Sequence, residues 1–225
     1  MRSHPSPNFG ERKGGAVPEL IVLHYTAMAD LQETLARICD PLTEVSAHYL
    51  ISKTGLIYGL VDEAKRAWHA GQGQWAGRGD VNSRSIGIEL ENSGAEPFAA
   101  LQMQALADLL INLEMRLQIP PHGVIGHSDM SPQRKSDPGK HFDWRALALQ
   151  GVSVWPALNL SPVPVSLFAP AARAFGYSEG TDAQVLTAFR LRFCPHVTGL
   201  LSSQDAALAH DLARRFGVDA NCKQA

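Results

Sequence analysis

The sequence predicts a mixed α/β fold, with a central β-sheet flanked by helices and a small helical segment behind it. Short apolar runs rich in β-branched residues alternate with amphipathic helical patterns along the first two thirds of the chain. At Gly151 a stretch rich in Pro and small residues begins, and beyond it only helical patterns follow. We therefore expect an α/β domain over 1–150, a linker over 151–163 and a three-helix domain over 164–225.

Four stretches have the composition of strands. Glu19–Thr26 (ELIVLHYT) is apolar and β-branched, and two strand-like runs around Thr54-Gly55 predict a hairpin. GVIGH is a short buried-strand candidate that ends at His127, and the charge-rich stretch after it is predicted to be a loop. SIGIELEN alternates, which places Ile86, Ile88 and Leu90 on one face and Gly87, Glu89 and Glu91 on the other.

Helical patterns connect and follow these strands. DLQETLARICD has apolar residues at i, i+4 and i+7, and FDWRALAL predicts one or two turns. A capping box, Thr181-x-x-Gln184, begins the second C-terminal helix, and the third begins near Ser202 or Ser203. The longest pattern ends before Pro120-Pro121 and has an apolar stripe made of Leu101, Ala105, Leu109 and Leu113.

Composition limits the classes of partner. The 225 residues carry a formal net charge of −2, which does not favour nucleic acid or an anionic membrane. The sequence contains no run of about 18 apolar residues, so it predicts no membrane-spanning helix. The polar N-terminus lacks the apolar stretch of a signal peptide, so we expect a cytoplasmic monomer, with the cell envelope as the alternative location. Three dispersed cysteines, Cys39, Cys194 and Cys222, are expected to be free thiols.

Polar residues on the predicted strands are the candidates for chemistry. His24 and His127, with an Asp from the loop after His127, would form a His₂Asp set, and catalytic zinc sites use three such ligands. Glu89 in mid-strand would be the general base, and Lys135 or Arg134 would stabilise an oxyanion. A lone strand histidine is more often a core residue, and Glu89 also fits a solvated sheet face.

A rival metal site uses the sequence His127-Ser128-Asp129. H-x-D is the first half of the facial triad of non-haem iron oxygenases, and His196 would complete it. That site belongs to jelly-roll folds with many short strands, whereas long helices separate the strands here. The rival hypothesis predicts dependence on Asp129.

Four blocks carry a resemblance to a known family. IVLHYTAM, VSAHYLISKTGLIYGLVDEAKRAWHAG, NSRSIGIELEN and GHSDMSPQRKSDPGKHFDW occur in this order, within about residues 5 to 147. They resemble the zinc-dependent N-acetylmuramoyl-L-alanine amidases of the amidase-2 type, which include the peptidoglycan recognition proteins. The resemblance implies the mixed sheet of that family and hydrolysis of the amide between the lactyl group of N-acetylmuramic acid and L-alanine.

The resemblance also implies residue roles. His24, His127 and Asp137, rather than Asp129, match the family's zinc ligands, Glu89 its base and Lys135 its oxyanion-stabilising lysine. Members that only bind peptidoglycan typically lack a ligand, so the complete set favours an enzyme over a non-catalytic recognition module. Asp129 is expected to brace the loop or a ligand histidine.

Substrate contacts and the C-terminal segment are further expectations. Muropeptides are the expected partner, and the choice between 1,6-anhydro and intact sugar stays open. About Pro164 to Phe216 resembles the three-helix peptidoglycan-binding domain of some amidases, and the alternative is an appendage that packs on the catalytic domain and binds nothing. The residues expected to contact substrate are His48, Trp68, His69, Asn92 and Arg134.

Overall fold

The computed structural model describes residues 1–28 and 30–218. The strands are β1 (Arg2–Ser3), β2 (Phe9–Glu11), β3 (Leu20–Tyr25), β4 (Tyr49–Ile51), β5 (Ile57–Gly59), β6 (Lys65–Ala67), β7 (Ser85–Leu90) and β8 (Val124–Gly126). The α-helices are α1 (Leu31–Cys39), α2 (Val81–Arg84), α3 (Ala100–Leu117), α4 (His127–Met130), α5 (Trp144–Leu149), α6 (Phe168–Phe175), α7 (Asp182–Phe193) and α8 (Ser203–Phe216).

The mixed sheet that the sequence predicts is confirmed. Six strands lie in the order β1-β5-β4-β7-β3-β8, and β2 and β6 form a separate antiparallel pair. Strands β4, β7, β3 and β8 run parallel to one another, whereas β4 and β5 form the predicted antiparallel hairpin. In this register His24 lies opposite Glu89, and Leu23 lies opposite Gly126, the residue before His127. Carboxyl ends of parallel strands are therefore brought together at one edge, where ligands bind in open α/β sheets.

One face of the sheet packs against α3. The apolar side of β7 joins a core cluster that includes Leu106, Leu110 and Leu113 of this helix. The predicted stripe on α3 is wrong at its start, because Leu101 is 66% exposed. Gln102 is buried instead, and its amide donates hydrogen bonds to the carbonyls of Ile51 and Glu91 at the ends of two strands.

The C-terminal helices cover the other face. Val22 of β3 and Ile125 of β8 share a core cluster with Phe168, Phe189 and Leu212 of α6, α7 and α8. The stretch 151–163, predicted as a linker, contributes the buried residues Val152 and Val154. The helices thus share a hydrophobic core with the sheet, and the division of the chain into two domains stays a prediction.

Side chains cap the starts of three helices, and the two starts predicted in the C-terminal segment are confirmed. Asp30 caps α1 by accepting from Glu33 N at 2.9 Å, and the predicted capping box at Thr181 and Gln184 begins α7. Ser202 caps α8. The loop predicted directly after β8 begins instead with the short helix α4.

Two of the three cysteines expected to be free lie in the described part of the chain. Cys39 and Cys194 are free thiols, as expected. Cys222 and the end of the predicted helical domain, 219–225, lie outside the described residues. No helix within 1–28 and 30–218 combines the length and apolar character that a membrane crossing requires.

Candidate active site

Three predicted ligand residues converge at the carboxyl edge of the sheet. The Nδ1 atoms of His24 and His127 are 2.9 Å apart, and each lies 3.0 Å from Oδ2 of Asp137. His24 comes from β3, and His127 directly follows β8. Asp137 returns to them because its carbonyl accepts from Ser128 N at 2.9 Å, which closes the intervening loop. All three ligand residues are buried.

Hydrogen bonds determine the tautomer of His24. The Ser85 hydroxyl donates to the Val81 carbonyl at 2.6 Å, so its oxygen accepts from Nε2–H of His69 at 3.2 Å. Nδ1 of His69 is then an acceptor, and Nε2–H of His24 donates to it at 3.1 Å. Burial lowers the pKa of His24 to about 4, so its neutral ring presents the Nδ1 lone pair to the cluster.

Gly87 makes room for this chain of hydrogen bonds. A Cβ atom at Gly87 would lie 2.4 Å from Cγ of His69, so any side chain there would displace the His69 ring. The alternation of β7 puts Gly87 on the same face as Glu89. A glycine in mid-strand is therefore explained by the approach of a histidine that orients a ligand.

His127 is oriented in the same way. Its Nε2–H donates to the carbonyl of Ala70 at 2.9 Å, which leaves Nδ1 as a lone pair. Two imidazole lone pairs and a carboxylate oxygen therefore face one another within 3.0 Å, an arrangement that a cation stabilises. Zinc bonds of about 2.0 Å in tetrahedral geometry separate ligand atoms by about 3.3 Å, close to the observed spacing. The donor set and its outer hydrogen bonds fit Zn²⁺.

Glu89 is a half-buried residue whose carboxyl group lies beside this cluster. Its Oε2 is shielded from solvent and has no hydrogen-bond partner within the described residues. Burial and the negative charge of Asp137 raise the pKa of Glu89 to about 8, and the positive charge of Lys135 opposes them. A cation held by the ligands would favour the ionised form. The solvated-face interpretation instead suits Glu91, which accepts from the amide of Lys53 at 2.9 Å.

The structure separates the two candidate cations. Lys135 lines the same cleft, is exposed, and makes no ion pair with any residue in the described part of the chain. The Arg134 guanidinium also reaches the cleft, but it donates to the carbonyls of Ala70 and Gln72. Lys135 is consequently the side chain free to meet a developing negative charge.

A cleft of about 420 Å³ contains the cluster and Glu89. Of the five predicted substrate contacts, Trp68, His69 and Arg134 line it. The wall that α1 supplies, which includes Arg37 and Ile38, was not predicted from the sequence. Arg37 resembles an ordinary solvated residue and Ile38 an ordinary core residue of an amphipathic helix, so a single sequence carries no signal for this wall.

The structure does not bring His48 and Asn92 to the cleft. His48 is fully buried, accepts from Gly87 N at 2.9 Å and donates to the Lys65 carbonyl. Asn92 is also buried, and it bonds to Gly94 N and the Glu96 carbonyl within the loop after β7. Both side chains hold backbone, and we leave them out of the proposed substrate contacts.

The facial-triad alternative fails on geometry. The carboxylate of Asp129 accepts from Gly126 N, Arg192 and Tyr177, and it does not join the cluster. His196 follows α7 and is not part of the cluster either. The mixed sheet is also not a jelly-roll.

Three potential ligands beside a buried carboxyl group, in a cleft at the edge of a mixed sheet, are the arrangement of a metallohydrolase. The family model for N-acetylmuramoyl-L-alanine amidase matches residues 14–140. AmiD of Escherichia coli (strain K12), an N-acetylmuramoyl-L-alanine amidase, is 34% identical over 235 residues, 89% of this chain and 84% of the relative. The chain therefore belongs to the N-acetylmuramoyl-L-alanine amidase family, as the resemblance implied.

Further relatives agree with this membership. The 1,6-anhydro-N-acetylmuramyl-L-alanine amidase AmpD of Haemophilus influenzae is 35% identical over 161 residues, which cover 64% of this chain and 88% of that protein. The solved complex of Escherichia coli AmiD with anhydro-N-acetylmuramic acid-L-Ala-D-γ-Glu-L-Lys has a TM-score of 0.81 at 32% identity, covering 93% of this chain and 98% of that one. Pseudomonas aeruginosa AmpDh3 with anhydromuramic pentapeptide has a TM-score of 0.80 at 30% identity, covering 95% and 96%.

Proposed function

We propose that this chain hydrolyses the amide bond between the lactyl group of N-acetylmuramic acid and the L-alanine of a peptidoglycan stem peptide. The convergence of His24, His127 and Asp137 beside the partnerless carboxyl of Glu89 carries the proposal. A non-catalytic recognition module needs no metal ligands, so the complete set favours the enzyme. The relatives named above, which act on or bind anhydromuramyl peptides, indicate the substrate class.

We propose Zn²⁺ as the cofactor, held by His24 Nδ1, His127 Nδ1 and one carboxylate oxygen of Asp137. When bound, zinc supplies Lewis acidity that activates water and polarises the substrate carbonyl. The fixed tautomers of both histidines direct their lone pairs to this position without rotation of either ring.

Glu89 is the proposed general base. It removes a proton from the attacking water and later delivers that proton to the leaving amine of L-alanine. Its Oε2 is shielded and has no partner within the described residues, which suits both steps, because a pKa near neutrality lets one group accept and then release a proton. Trp68 and Arg134 are proposed substrate contacts, and His69 borders the cleft while it orients His24.

Lys135 is proposed to stabilise the oxyanion that develops on the lactyl carbonyl. Replacing Lys135 with methionine is expected to lower kcat by about 10²-fold, because one charge-stabilising donor is lost while side-chain length is kept. KM and zinc content should change little. Steady-state hydrolysis of a muropeptide measures the effect, with Lys140→Met as the matched control, since Lys140 is an exposed lysine of the same loop region. A normal kcat in Lys135→Met would assign the oxyanion contact elsewhere.

Metal removal tests the proposed function directly. Purified protein is expected to hold about one zinc ion per chain by elemental mass spectrometry and to release stem peptide from a 1,6-anhydro muropeptide. Dialysis against a chelator should abolish release, and added zinc should restore it, because three ligand residues supply no chemistry without the ion. Release of stem peptide at full rate from metal-free protein would refute the proposal. Parallel assays with intact and anhydro sugars decide which form is preferred.

A further inference from the structure

Asp129 connects the His127 segment to the C-terminal helices. It lies in α4, two positions after the ligand His127, and its side chain is 1% exposed. Oδ2 accepts from Gly126 N at 2.8 Å and from Nη1 of Arg192 at 2.7 Å. Oδ1 accepts from the Tyr177 hydroxyl at 2.6 Å. Two of the three donors thus come from the helical segment, not from the α/β part of the chain.

Arg192 holds both ends of the segment that carries His127. While Nη1 donates to Asp129 after the ligand, Nη2 donates at 2.9 Å to the carbonyl of Val124, three residues before the ligand. The guanidinium also lies 4.3 Å from the ring centroid of Trp144, and the Arg192 side chain is 1% exposed. Arg192 thus contacts both sides of the His127 segment from a closely packed environment.

Stability alone does not account for this ion pair. A buried pair of charges loses hydration, and well-packed apolar residues in its place are often equally or more stabilising. The pair instead specifies a geometry, since the two hydrogen bonds of Arg192, to Asp129 and to the Val124 carbonyl, and the hydroxyl of Tyr177 define where the turn around His127 lies. His127 itself has one side-chain anchor outside the cluster, the Ala70 carbonyl, so its position depends on that turn.

We propose that Arg192 and Tyr177 are positioning residues that act through Asp129 to hold Nδ1 of His127 in the metal cluster. The C-terminal helices are then part of the catalytic structure, whether or not they also bind peptidoglycan. This inference rests on the proposed zinc site. It differs from the expectation of an independent binding domain, because it gives the helices a function that requires contact with the sheet.

Zinc affinity of the full-length chain tests the inference. Tyr177→Phe removes one hydroxyl and keeps the ring, and Arg192→Met removes the charge at similar length. Each is expected to raise the zinc dissociation constant by about 10- to 100-fold, as loss of an outer hydrogen-bond partner does at other metal sites. Competition with a chromophoric chelator measures this, and circular dichroism confirms that each variant is folded. The visible spectrum of the Co²⁺-loaded variants should also change, and Arg192→Lys should recover part of the affinity.

Arg190→Met is the matched control. Arg190 lies in the same helix and forms a comparable buried pair with Asp205, with an Nη2 to Oδ2 distance of 2.6 Å. Its other contacts, the carbonyls of Gly199 and Leu200, also lie within the helical segment. This variant should lower Tm while zinc affinity stays within about twofold of wild type, because the hydrogen bonds of Arg190 to described residues reach neither Asp129 nor the His127 segment.

The outcomes are distinct. Wild-type zinc affinity in Tyr177→Phe and in a folded Arg192→Met would overturn the inference. If Arg192→Met does not fold, Tyr177→Phe decides alone. A loss of zinc affinity in Arg190→Met equal to that in the other two variants would also overturn the inference. General destabilisation of the helices would then explain all three losses. Because the measurement needs no substrate, failure of the amidase assay leaves it valid, whereas wild-type protein without zinc affinity would refute both proposals.

Discussion

Replacement of Glu89 by glutamine is expected to lower kcat for muropeptide hydrolysis by about 10³-fold, while about one zinc ion per chain stays bound. Glutamine keeps the size of the side chain and removes its ability to accept a proton. The three ligands do not include Glu89, so zinc content separates loss of the base from loss of the metal. Steady-state kinetics and elemental mass spectrometry on the same preparation measure both quantities.

The same substitution should not destabilise the fold. Glu89 Oε2 is buried without a partner, and a neutral amide in that position loses less hydration than a carboxylate. We therefore expect Tm in Glu89→Gln to equal or exceed that of wild type. Glu91→Gln, directly after β7 and two residues beyond Glu89, is the control and should retain normal kcat. Normal turnover in Glu89→Gln would place the base elsewhere.

Replacement of Asp137 by alanine is expected to remove zinc and activity together. The carboxylate is one of three proposed ligands, so the zinc dissociation constant should rise by more than the about 100-fold typical of losing an outer-shell partner. Lewis acidity contributes several kcal/mol of transition-state stabilisation, so kcat/KM should fall by about 10³-fold or more. Chelator competition and muropeptide hydrolysis measure the two effects.

Asp143→Ala provides the comparison for Asp137→Ala. Asp143 lies six positions further along, caps α5 by accepting from Ala146 N at 2.9 Å, and does not reach the cluster. Loss of this cap should cost about 1 kcal/mol of stability without changing zinc content. Tight zinc binding by Asp137→Ala would contradict the ligand assignment.

Strand pairing explains why distant residues form one site. The register of β3 with β7 and β8 puts His24 opposite Glu89 and Leu23 opposite Gly126, so His127 begins where the pairing ends. The strand patterns around these residues are visible in the sequence, and parallel strands align their carboxyl ends. The resemblance of the four sequence blocks then implies the same three ligands that the structure brings together.

For two pairs of nearby residues with the same charge, the structure was needed to show which member faces the proposed site. Glu89 and Glu91 have the same alternation in the sequence, and only packing shows that Glu89 lines the cleft with a shielded Oε2 while Glu91, just after β7, bonds to the Lys53 amide. Arg134 and Lys135 are adjacent cations, and the carbonyls of Ala70 and Gln72 that occupy Arg134 are more than sixty residues away in sequence.

The sequence by itself predicted strands β3, β4, β5, β7 and β8, the helix caps of the C-terminal segment and, through the family resemblance, the proposed ligands and base, whereas the short strands β1, β2 and β6 were not predicted. The predicted features depend on local periodicity, on short-range hydrogen bonds, or on residue types at known spacing. Only the tertiary structure decided that His48 and Asn92 hold backbone, and that the C-terminal helices pack on the sheet and reach Asp129. Arg192 shows the physical reason: a charged residue in a helix indicates a solvated face unless a partner 63 positions away is brought to it, and no local pattern encodes that pairing.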